Sequence, residues 1–222
     1  MKVVALLPMK GNSERVPNKN LKDFCGRPLY HKILDTLLAS KFIDEIIINT
    51  DGEFIKKDIE KNYKDKVTVH ERPEEIIGDF VSMNKIIEYD VNKVPADIYI
   101  QTHSTNPLLL TGTLDDAIEK MMKKDGEFDS IFSVTKVQTR LYDADGKPSN
   151  HNPLELIRTQ DLPPLFEENS SFYIFTEDSF EHSGGKRIGS KAQMFEMDKI
   201  EAIDIDQIQD FIIAESIYKL LR

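Results

Sequence analysis

The feature that most constrains the fold is an alternation of short β-rich runs with stretches of helical periodicity along the chain. The first run, residues 3–7, is apolar throughout, which favours a strand buried on both faces. Strands that alternate with helices are typical of βαβ units, in which helices cover both faces of a mostly parallel sheet. We therefore predict an α/β fold with three α/β/α layers. The predicted strands cover residues 3–7, 45–49, 67–70, 97–101, 130–134, 172–175 and 202–206, and the predicted helices cover residues 28–38, 53–62, 82–91, 111–123 and the C-terminal segment, with Ile208, Phe211, Ile212, Tyr218 and Leu221 on one face.

Composition excludes several classes of function. The formal net charge of −10 and the isoelectric point near 5.1 argue against nucleic acid or an anionic membrane as a partner, since both require a basic surface. No apolar run reaches the roughly 20 residues that span a bilayer. The single cysteine, Cys25, excludes an internal disulfide and a multi-cysteine metal site, which favours a reducing, cytoplasmic setting.

Residues 137–170 interrupt the alternating pattern. This segment has little periodicity and contains four of the ten prolines, so we predict an extended arm inserted into a single domain of residues 1–222. The apolar side chains of the arm need a surface to pack against, and we predict that a second copy of the chain supplies it in a homodimer. These side chains are Leu141, Tyr142, Leu154, Leu156, Leu162, Leu165 and Phe166.

The loop after the first predicted strand has the composition of a phosphate-binding loop. Ligands of open α/β sheets usually bind at the carboxyl ends of the strands, where this loop lies. It offers a glycine, a serine hydroxyl and three cations, which can wrap a triphosphate. It lacks the glycines of a Walker A or dinucleotide-binding motif, and a solvated surface loop is the alternative interpretation. The residues concerned are Lys10, Gly11, Asn12, Ser13, Arg15 and Lys19.

Two carboxylates near the C-terminus are separated by one residue. On a strand, Asp204 and Asp206 project from the same face while Ile203 and Ile205 face the core. Neighbouring carboxylates repel each other unless a cation lies between them, and Mg²⁺ is the natural partner of such oxygens. A solvated strand end is the alternative interpretation of this short motif.

Five segments in chain order resemble the acylneuraminate cytidylyltransferase family, which includes CMP-sialic acid synthetases and has CMP-Kdo synthetases as relatives. The resemblance implies a Rossmann-like nucleotide-diphospho-sugar transferase fold and an arm that reaches a second subunit. It also implies that CTP activates a 2-keto-3-deoxy sugar acid to give a CMP-sugar and pyrophosphate with Mg²⁺. The segments read KGNSERVPNKN followed by GRPL, ERPEEIIGD with Ser82, STNPLL, TQDLPPLFEENSSFYIF and IDIDQIQDF.

The resemblance assigns the nucleotide and metal sites residue by residue. Asp204 and Asp206 would hold the metal, and Lys10 stands where the family usually has arginine, which exchanges a guanidinium fork for a point charge. Arg72 would complete the base pocket, although a helix cap or salt bridge is the structural alternative. The implied catalytic residues are Lys10, Arg15, Lys19 and Asp206, and the implied nucleotide-binding residues are Lys10, Gly11, Asn12, Ser13, Arg15, Lys19, Asn20, Arg72 and Ser82.

The predicted sugar site departs from that of the sialic acid synthetases. His103 stands where those enzymes carry glutamine, Asn106 replaces serine, and Leu109 replaces arginine. We therefore expect a nonulosonic acid other than N-acetylneuraminate, such as one of the legionaminic or pseudaminic type. A planar carboxylate suits an arginine fork, which makes Arg158 in the arm a candidate. The sugar-binding residues that we predict are His103, Thr105, Asn106, Arg158, Gln160, Asn169 and Tyr173.

Three other functions fit parts of this pattern. A different sugar nucleotidyltransferase, for example of the CMP-Kdo type, would share the fold, and a test of the four nucleotides separates the two. A non-catalytic nucleotide-binding or sugar-binding module would explain the exchange at Lys10, but the presence of Lys19 and Asp206 argues against it. A glycosyltransferase would place its Asp-x-Asp motif in the middle of the chain.

Overall fold

A seven-stranded sheet forms the centre of the computed structural model, which describes residues 1–124, 126–155 and 157–221. Among these residues the strands are β1 (Val3–Met9), β2 (Asp23–Phe24), β3 (Arg27–Pro28), β4 (Glu45–Thr50), β5 (Thr68–Glu71), β6 (Ile98–Thr102), β7 (Ser130–Val137), β8 (Leu165–Phe175) and β9 (Ala192–Glu196). The helices are α1 (Tyr30–Leu38), α2 (Glu53–Asn62), α3 (Met83–Lys93), α4 (Thr111–Met122), α5 (Glu177–His182) and α6 (Ile208–Leu221).

The sheet is mostly parallel, and helices cover both of its faces. Its strand order is β5-β4-β1-β6-β8-β7-β9, and only β8 runs antiparallel to its neighbours. In β1, Val3, Ala5 and Leu7 pack with α1, α2 and α4 on one face, while Val4 and Leu6 pack with α3 and α5 on the other. Because both faces of β1 are buried, the strand is apolar at every position. The predicted α/β class with three layers is confirmed.

The predicted strand at residues 202–206 is wrong. This segment lies outside the sheet, and the edge position next to β7 belongs to β9. Ile205 is fully buried, but it packs against Phe24 and Phe211 in a separate apolar cluster under α6. The alternation of apolar and acidic residues therefore reflects packing under a helix and not a sheet.

The predicted apolar face of α6 is also wrong in part. Phe211 is buried, and Tyr218 makes an edge contact with Phe24. Ile208, Ile212 and Leu221 are exposed, because α6 covers the small cluster around Phe24 with one narrow stripe only.

The bounds predicted for the arm, residues 137–170, include part of the sheet. Val137 is still in β7 and pairs with Leu165, the first residue of β8, so residues 165–170 belong to a long strand. Among the described residues, the part of the segment outside the sheet covers residues 138–155 and 157–164. Leu162 is buried within the chain, whereas the Leu154 side chain is 91% exposed. Leu156 lies outside the described residues.

Candidate active site

The loop after β1, the loop after β6 and the C-terminal Asp-x-Asp segment meet around a cavity of about 350 Å³. The cavity lies beyond the carboxyl ends of parallel strands β1 and β6, where ligands of α/β sheets bind. A long irregularity in the pairing of β7 with β8 brings Ser170 to the same place. Of the predicted site residues, those that line this cavity are Lys10, Ser13, Arg15, Lys19, Asn20, His103, Thr105, Asp204 and Asp206.

Cations from the N-terminal loop meet a carboxylate from the C-terminal segment. Arg15 Nη2 lies 2.7 Å from Asp206 Oδ1, and Lys19 Nζ lies 3.9 Å from the same oxygen. Lys10 Nζ pairs with Asp79 Oδ1 at 2.8 Å. The N-terminal loop and the C-terminal segment therefore meet at this cavity. Asn12 lines a smaller adjoining cavity of about 220 Å³ together with Lys10, Ser13 and Arg15.

Lys19 is the most enclosed of the three cations. Its side chain is 13% exposed, and Nζ donates a hydrogen bond to the Ile205 carbonyl oxygen at 2.5 Å. Burial lowers the pKa of the Lys19 ammonium, while the charges of Asp204 and Asp206 oppose that shift. An ammonium with little access to water attracts a phosphate oxygen more strongly than one on an open surface does.

Asp204 and Asp206 both face this cavity, although the segment that carries them is not a β-strand. Burial raises the pKa of the Asp204 carboxyl, the Thr105 hydroxyl opposes that shift, and the charge of Asp206 adds to it. Asp204 Oδ1 is buried and has no hydrogen-bond partner among the described residues. A divalent cation would satisfy this oxygen, so the pair fits a metal.

The donor set favours one kind of metal site. Among the described residues, no group of three or more His, Cys, Asp or Glu side chains could hold a metal ion alone. Phosphate oxygens and water would have to supply the other ligands of an ion held by Asp204 and Asp206. Mg²⁺ binds proteins in this way, through one or two carboxylates and the phosphates of a substrate.

Several residues predicted to bind the nucleotide do not line the cavity. Arg72 is buried and donates hydrogen bonds to the carbonyl oxygens of Met9 and Asn49 and to Asn49 Oδ1, which ties β1 to β4. The Ser82 hydroxyl accepts a hydrogen bond from the Asn84 N–H and caps α3. Gly11 packs against the loop between β4 and α2.

Asn20 lines the cavity, but its amide also makes hydrogen bonds within the protein. Nδ2 donates to the Lys10 carbonyl oxygen at 3.0 Å, and Oδ1 accepts from the Ser104 hydroxyl at 2.8 Å. The side chain therefore joins the loop after β1 to the loop after β6. Any contact with a nucleotide base must use the remaining hydrogen-bonding capacity of the amide.

His103 is the predicted sugar-site residue with the most unusual environment. Burial, with smaller contributions from the charges of Arg187 and Lys19, lowers the pKa of its imidazole to about 4. Nε2 is buried and has no hydrogen-bond partner among the described residues. The imidazole is therefore neutral at pH 7 and has one nitrogen free to bind a ligand group.

The other residues predicted to bind the sugar are dispersed. Asn106 is buried and donates to the Ile203 carbonyl oxygen at 3.4 Å. Asn169 lines an adjoining depression of about 700 Å³ that also contains Asp204 and Asp206. Tyr173 is buried, and its hydroxyl oxygen forms a hydrogen bond of 3.0 Å with the Ser170 hydroxyl. In the arm, Arg158 is paired with Asp161 at 2.7 Å. Gln160 is exposed, and its backbone carbonyl oxygen accepts a hydrogen bond from the Gln138 side chain.

Two residues beside the cavity were not predicted. Ser170 has a left-handed backbone with a φ of 58°, and the signal for it is that it stands where the family pattern has glycine. The Arg187 guanidinium lies 3.9 Å from the centre of the Tyr173 ring. The one feature of the sequence that points to Arg187 is its place in the glycine-rich segment 184–189.

The fold and the site define an α/β protein that places cations and a carboxylate pair around a polar cavity, as enzymes that act on nucleotides do. The sequence profile of the Cytidylyltransferase family matches residues 4–220, and the chain belongs to that family. The family membership that the five ordered segments suggest is thereby confirmed. Enzymes of this kind use a divalent metal. No helix among the described residues is long and apolar enough to cross a membrane.

Two relatives illustrate the similarity. The chain is 32% identical to an N-acylneuraminate cytidylyltransferase of Oncorhynchus mykiss, over 96% of this chain and 49% of that protein. It is 25% identical to a pseudaminic acid cytidylyltransferase of Campylobacter jejuni, over 99% of this chain and 97% of that protein. The chain therefore spans about half the length of the fish relative and nearly all of the bacterial one.

Two solved structures share the fold. CMP:2-keto-3-deoxy-manno-octonic acid synthetase complexed with CTP superimposes with a TM-score of 0.74 at 14% identity, over 100% of both chains. The 4-diphosphocytidyl-2C-methyl-D-erythritol synthase of Anaerococcus prevotii superimposes with a TM-score of 0.68 at 15% identity, over 98% of this chain and 99% of that one. At these identities the likeness supports the fold alone.

Proposed function

We propose that this protein transfers the cytidylyl group of CTP to the anomeric hydroxyl of a 2-keto-3-deoxy sugar acid. The hydroxyl oxygen attacks the α-phosphorus, the bond to the bridging oxygen of the β-phosphate breaks, and pyrophosphate leaves. The hydroxyl proton is lost to water. The observation that carries this proposal is the meeting of Arg15 and Lys19 with Asp206 around one cavity at the carboxyl ends of the strands.

The residues of the cavity divide the work of binding the triphosphate. Lys10, Arg15 and Lys19 neutralise its charge, and Arg15 exchanges its contact with Asp206 for a phosphate oxygen. Asp204 and Asp206 would hold Mg²⁺, which supplies charge neutralisation at the phosphates when bound. Ser13 adds a hydroxyl beside the cations.

The acid that we propose is a nonulosonic acid other than N-acetylneuraminate. His103 supports this choice, because a neutral imidazole with a free nitrogen replaces the glutamine of the sialic acid synthetases. The relative that matches over nearly its whole length is named for pseudaminic acid. A CMP-Kdo type of enzyme is the second candidate, and the solved structure with the TM-score of 0.74 supports it through the fold.

We also propose a cytoplasmic homodimer in which the arm completes the sugar site of the partner. Exposed apolar side chains of the arm support the dimer, among them Leu154, Leu165 and Phe166. The single free thiol of Cys25 supports a reducing compartment. Sedimentation at micromolar concentration tests the dimer, and a monomer under those conditions contradicts it.

Pyrophosphate release tests the activity directly. CTP, UTP, ATP and GTP are each offered with Mg²⁺ and with N-acetylneuraminic, legionaminic, pseudaminic and Kdo acids. We expect turnover with CTP alone and fastest with an acid of the legionaminic or pseudaminic type. Turnover with another nucleotide would identify a different nucleotidyltransferase, and CTP binding without turnover on any acid would identify a non-catalytic module.

A further inference from the structure

Arg187 is an enclosed cation that has no carboxylate partner within the part of the chain that the structure describes. It lies in the loop between α5 and β9, and its Nη1 donates a hydrogen bond to Gln101 Oε1. Its guanidinium stacks on the Tyr173 ring, 3.9 Å from the centroid. Among the described residues, no carboxylate oxygen forms an ion pair with it. The carboxylate that acts on it electrostatically is Glu168, which accepts its hydrogen bond from the Tyr173 hydroxyl instead.

An enclosed guanidinium without a counter-ion costs free energy unless a ligand supplies an anion. A guanidinium carries five N–H donors, and the contacts within the described chain give one acceptor, Gln101 Oε1. Burial lowers the pKa of Arg187, as expected for a charged group that is largely removed from water. Binding sites are where enclosed charges are kept without a permanent partner.

Arg187 is next to two residues that line the cavity. Its charge acts on His103, whose Nε2 is buried and unpartnered. On the other side of Tyr173, its hydroxyl oxygen forms a hydrogen bond of 3.0 Å with the Ser170 hydroxyl. His103 and Ser170 both line the cavity that also contains Lys19 and the aspartate pair. An anion bound in this part of the cavity therefore meets the field of Arg187.

We propose that Arg187 binds the carboxylate of the sugar acid, while Gln101 and Tyr173 hold its guanidinium in a fixed plane. This inference rests on the proposed function and names the group that selects an acidic sugar. A planar guanidinium presents two parallel N–H donors to a carboxylate, so orientation and charge are recognised together. Gln101 occupies one N–H position of Arg187 and leaves the others for a ligand.

The structure favours Arg187 over Arg158 for this role. Arg158 is exposed, and its Nε and Nη2 already contact both oxygens of Asp161, at 2.7 and 3.1 Å. Its fork is therefore occupied by a residue of the same arm. Arg187 has no such competitor among the described residues and is held beside the cavity by its own subunit.

Comparison of a sugar acid with its neutral methyl ester tests the proposal. For the wild type, Arg187→Met, Arg187→Lys and the neighbouring exposed control Lys186→Met, we would measure kcat and KM for the acid, the ester and CTP. We expect Arg187→Met to raise the KM for the acid at least about tenfold, or about 1.4 kcal/mol, because a charge-assisted pair is lost. The KM for CTP stays within about twofold, and the preference for acid over ester disappears.

The controls separate binding of the carboxylate from a structural role. Arg187→Lys keeps the charge without the fork, so it should retain part of the preference and serves as the test if Arg187→Met does not fold. Lys186→Met should behave as the wild type. An unchanged preference in both Arg187 variants overturns the assignment, and its loss in Arg158→Met instead assigns the carboxylate to the arm. A wild type without turnover on any acid removes the proposed function, and this inference with it.

Discussion

The α-carbons of Gly11 and Gly52 pack directly against each other. A Cβ on Gly11 would lie 2.7 Å from the Gly52 α-carbon, and a Cβ on Gly52 would lie 2.8 Å from the Gly11 α-carbon. The Gly11 N–H also donates to Asp51 Oδ1 at 2.7 Å. From the sequence alone, Gly11 suggests a close approach of phosphate. In the structure it brings the loop after β1 close to the loop after β4. This contact fixes the position of Lys10 and Asn12 beside it.

Substitution of Gly11 by alanine should move that loop. The new methyl meets backbone, which cannot rotate away, so we expect Gly11→Ala to lower the free energy of unfolding by about 2 kcal/mol. We also expect a higher KM for CTP. Gly112→Ala is the matched control, because Gly112 lies in α4 with open space around its α-carbon. It should leave stability unchanged or raise it by about 0.5 kcal/mol. Equal denaturation midpoints for the two variants would contradict the packing argument.

Lys19→Met should weaken the use of CTP far more than the use of the sugar acid. The substitution keeps most of the apolar stem but removes an ammonium that is 13% exposed and lies 3.9 Å from Asp206 Oδ1. Loss of one enclosed charge from a triphosphate site corresponds to a rise of at least about tenfold in the KM for CTP. Steady-state kinetics with each substrate varied in turn measure the effect. A rise confined to the KM for the sugar would show that Lys19 belongs to the other half of the site.

Asp206→Asn should lower kcat by about two orders of magnitude or more at saturating Mg²⁺. The amide keeps the shape of the side chain but loses the charge that would hold the metal. The half-saturating Mg²⁺ concentration should also rise. Asp145→Asn, at an exposed carboxylate in the arm, is the control and should show neither effect. Normal turnover of Asp206→Asn with Mg²⁺ would remove Asp206 from the metal site.

The parts of the fold and site that sequence can predict are those with a local pattern. The apolar run of β1 identifies a buried strand, and the cations that follow it predict a phosphate-binding loop. The strand β9 escapes prediction because its residues AQMFE lie at an edge and carry no buried alternation. Residues 202–206 have such alternation without being a strand, since Ile205 is buried under α6. Arg187 acquires a role only through Gln101 and Tyr173, which are distant in sequence.

Ser170→Gly should stabilise the protein. Ser170 has a φ of 58°, which a residue with a Cβ adopts at a cost of about 1–2 kcal/mol. Glycine removes that cost but gains freedom in the unfolded chain, so we expect a net gain of about 0.5–1 kcal/mol. Ser170→Ala is the matched control, because it loses the same hydroxyl and keeps the strain. If chemical denaturation ranks alanine at or above glycine, the left-handed conformation does not strain this position.

His103 should make the protein sensitive to acid. Its pKa is lowered to about 4 in the folded protein, against 6.5 for the ordinary side chain, mainly by burial. The unfolded chain therefore binds more protons than the folded one between these values, and stability falls as the pH decreases from 6.5 towards 4. At pH 5 the loss from this one group is about 2 kcal/mol. His103→Gln, which has no titrating group, should lose less stability than the wild type between pH 7.5 and pH 5. Urea denaturation at the two pH values measures the difference, and equal losses would show that His103 takes up its proton in the folded protein.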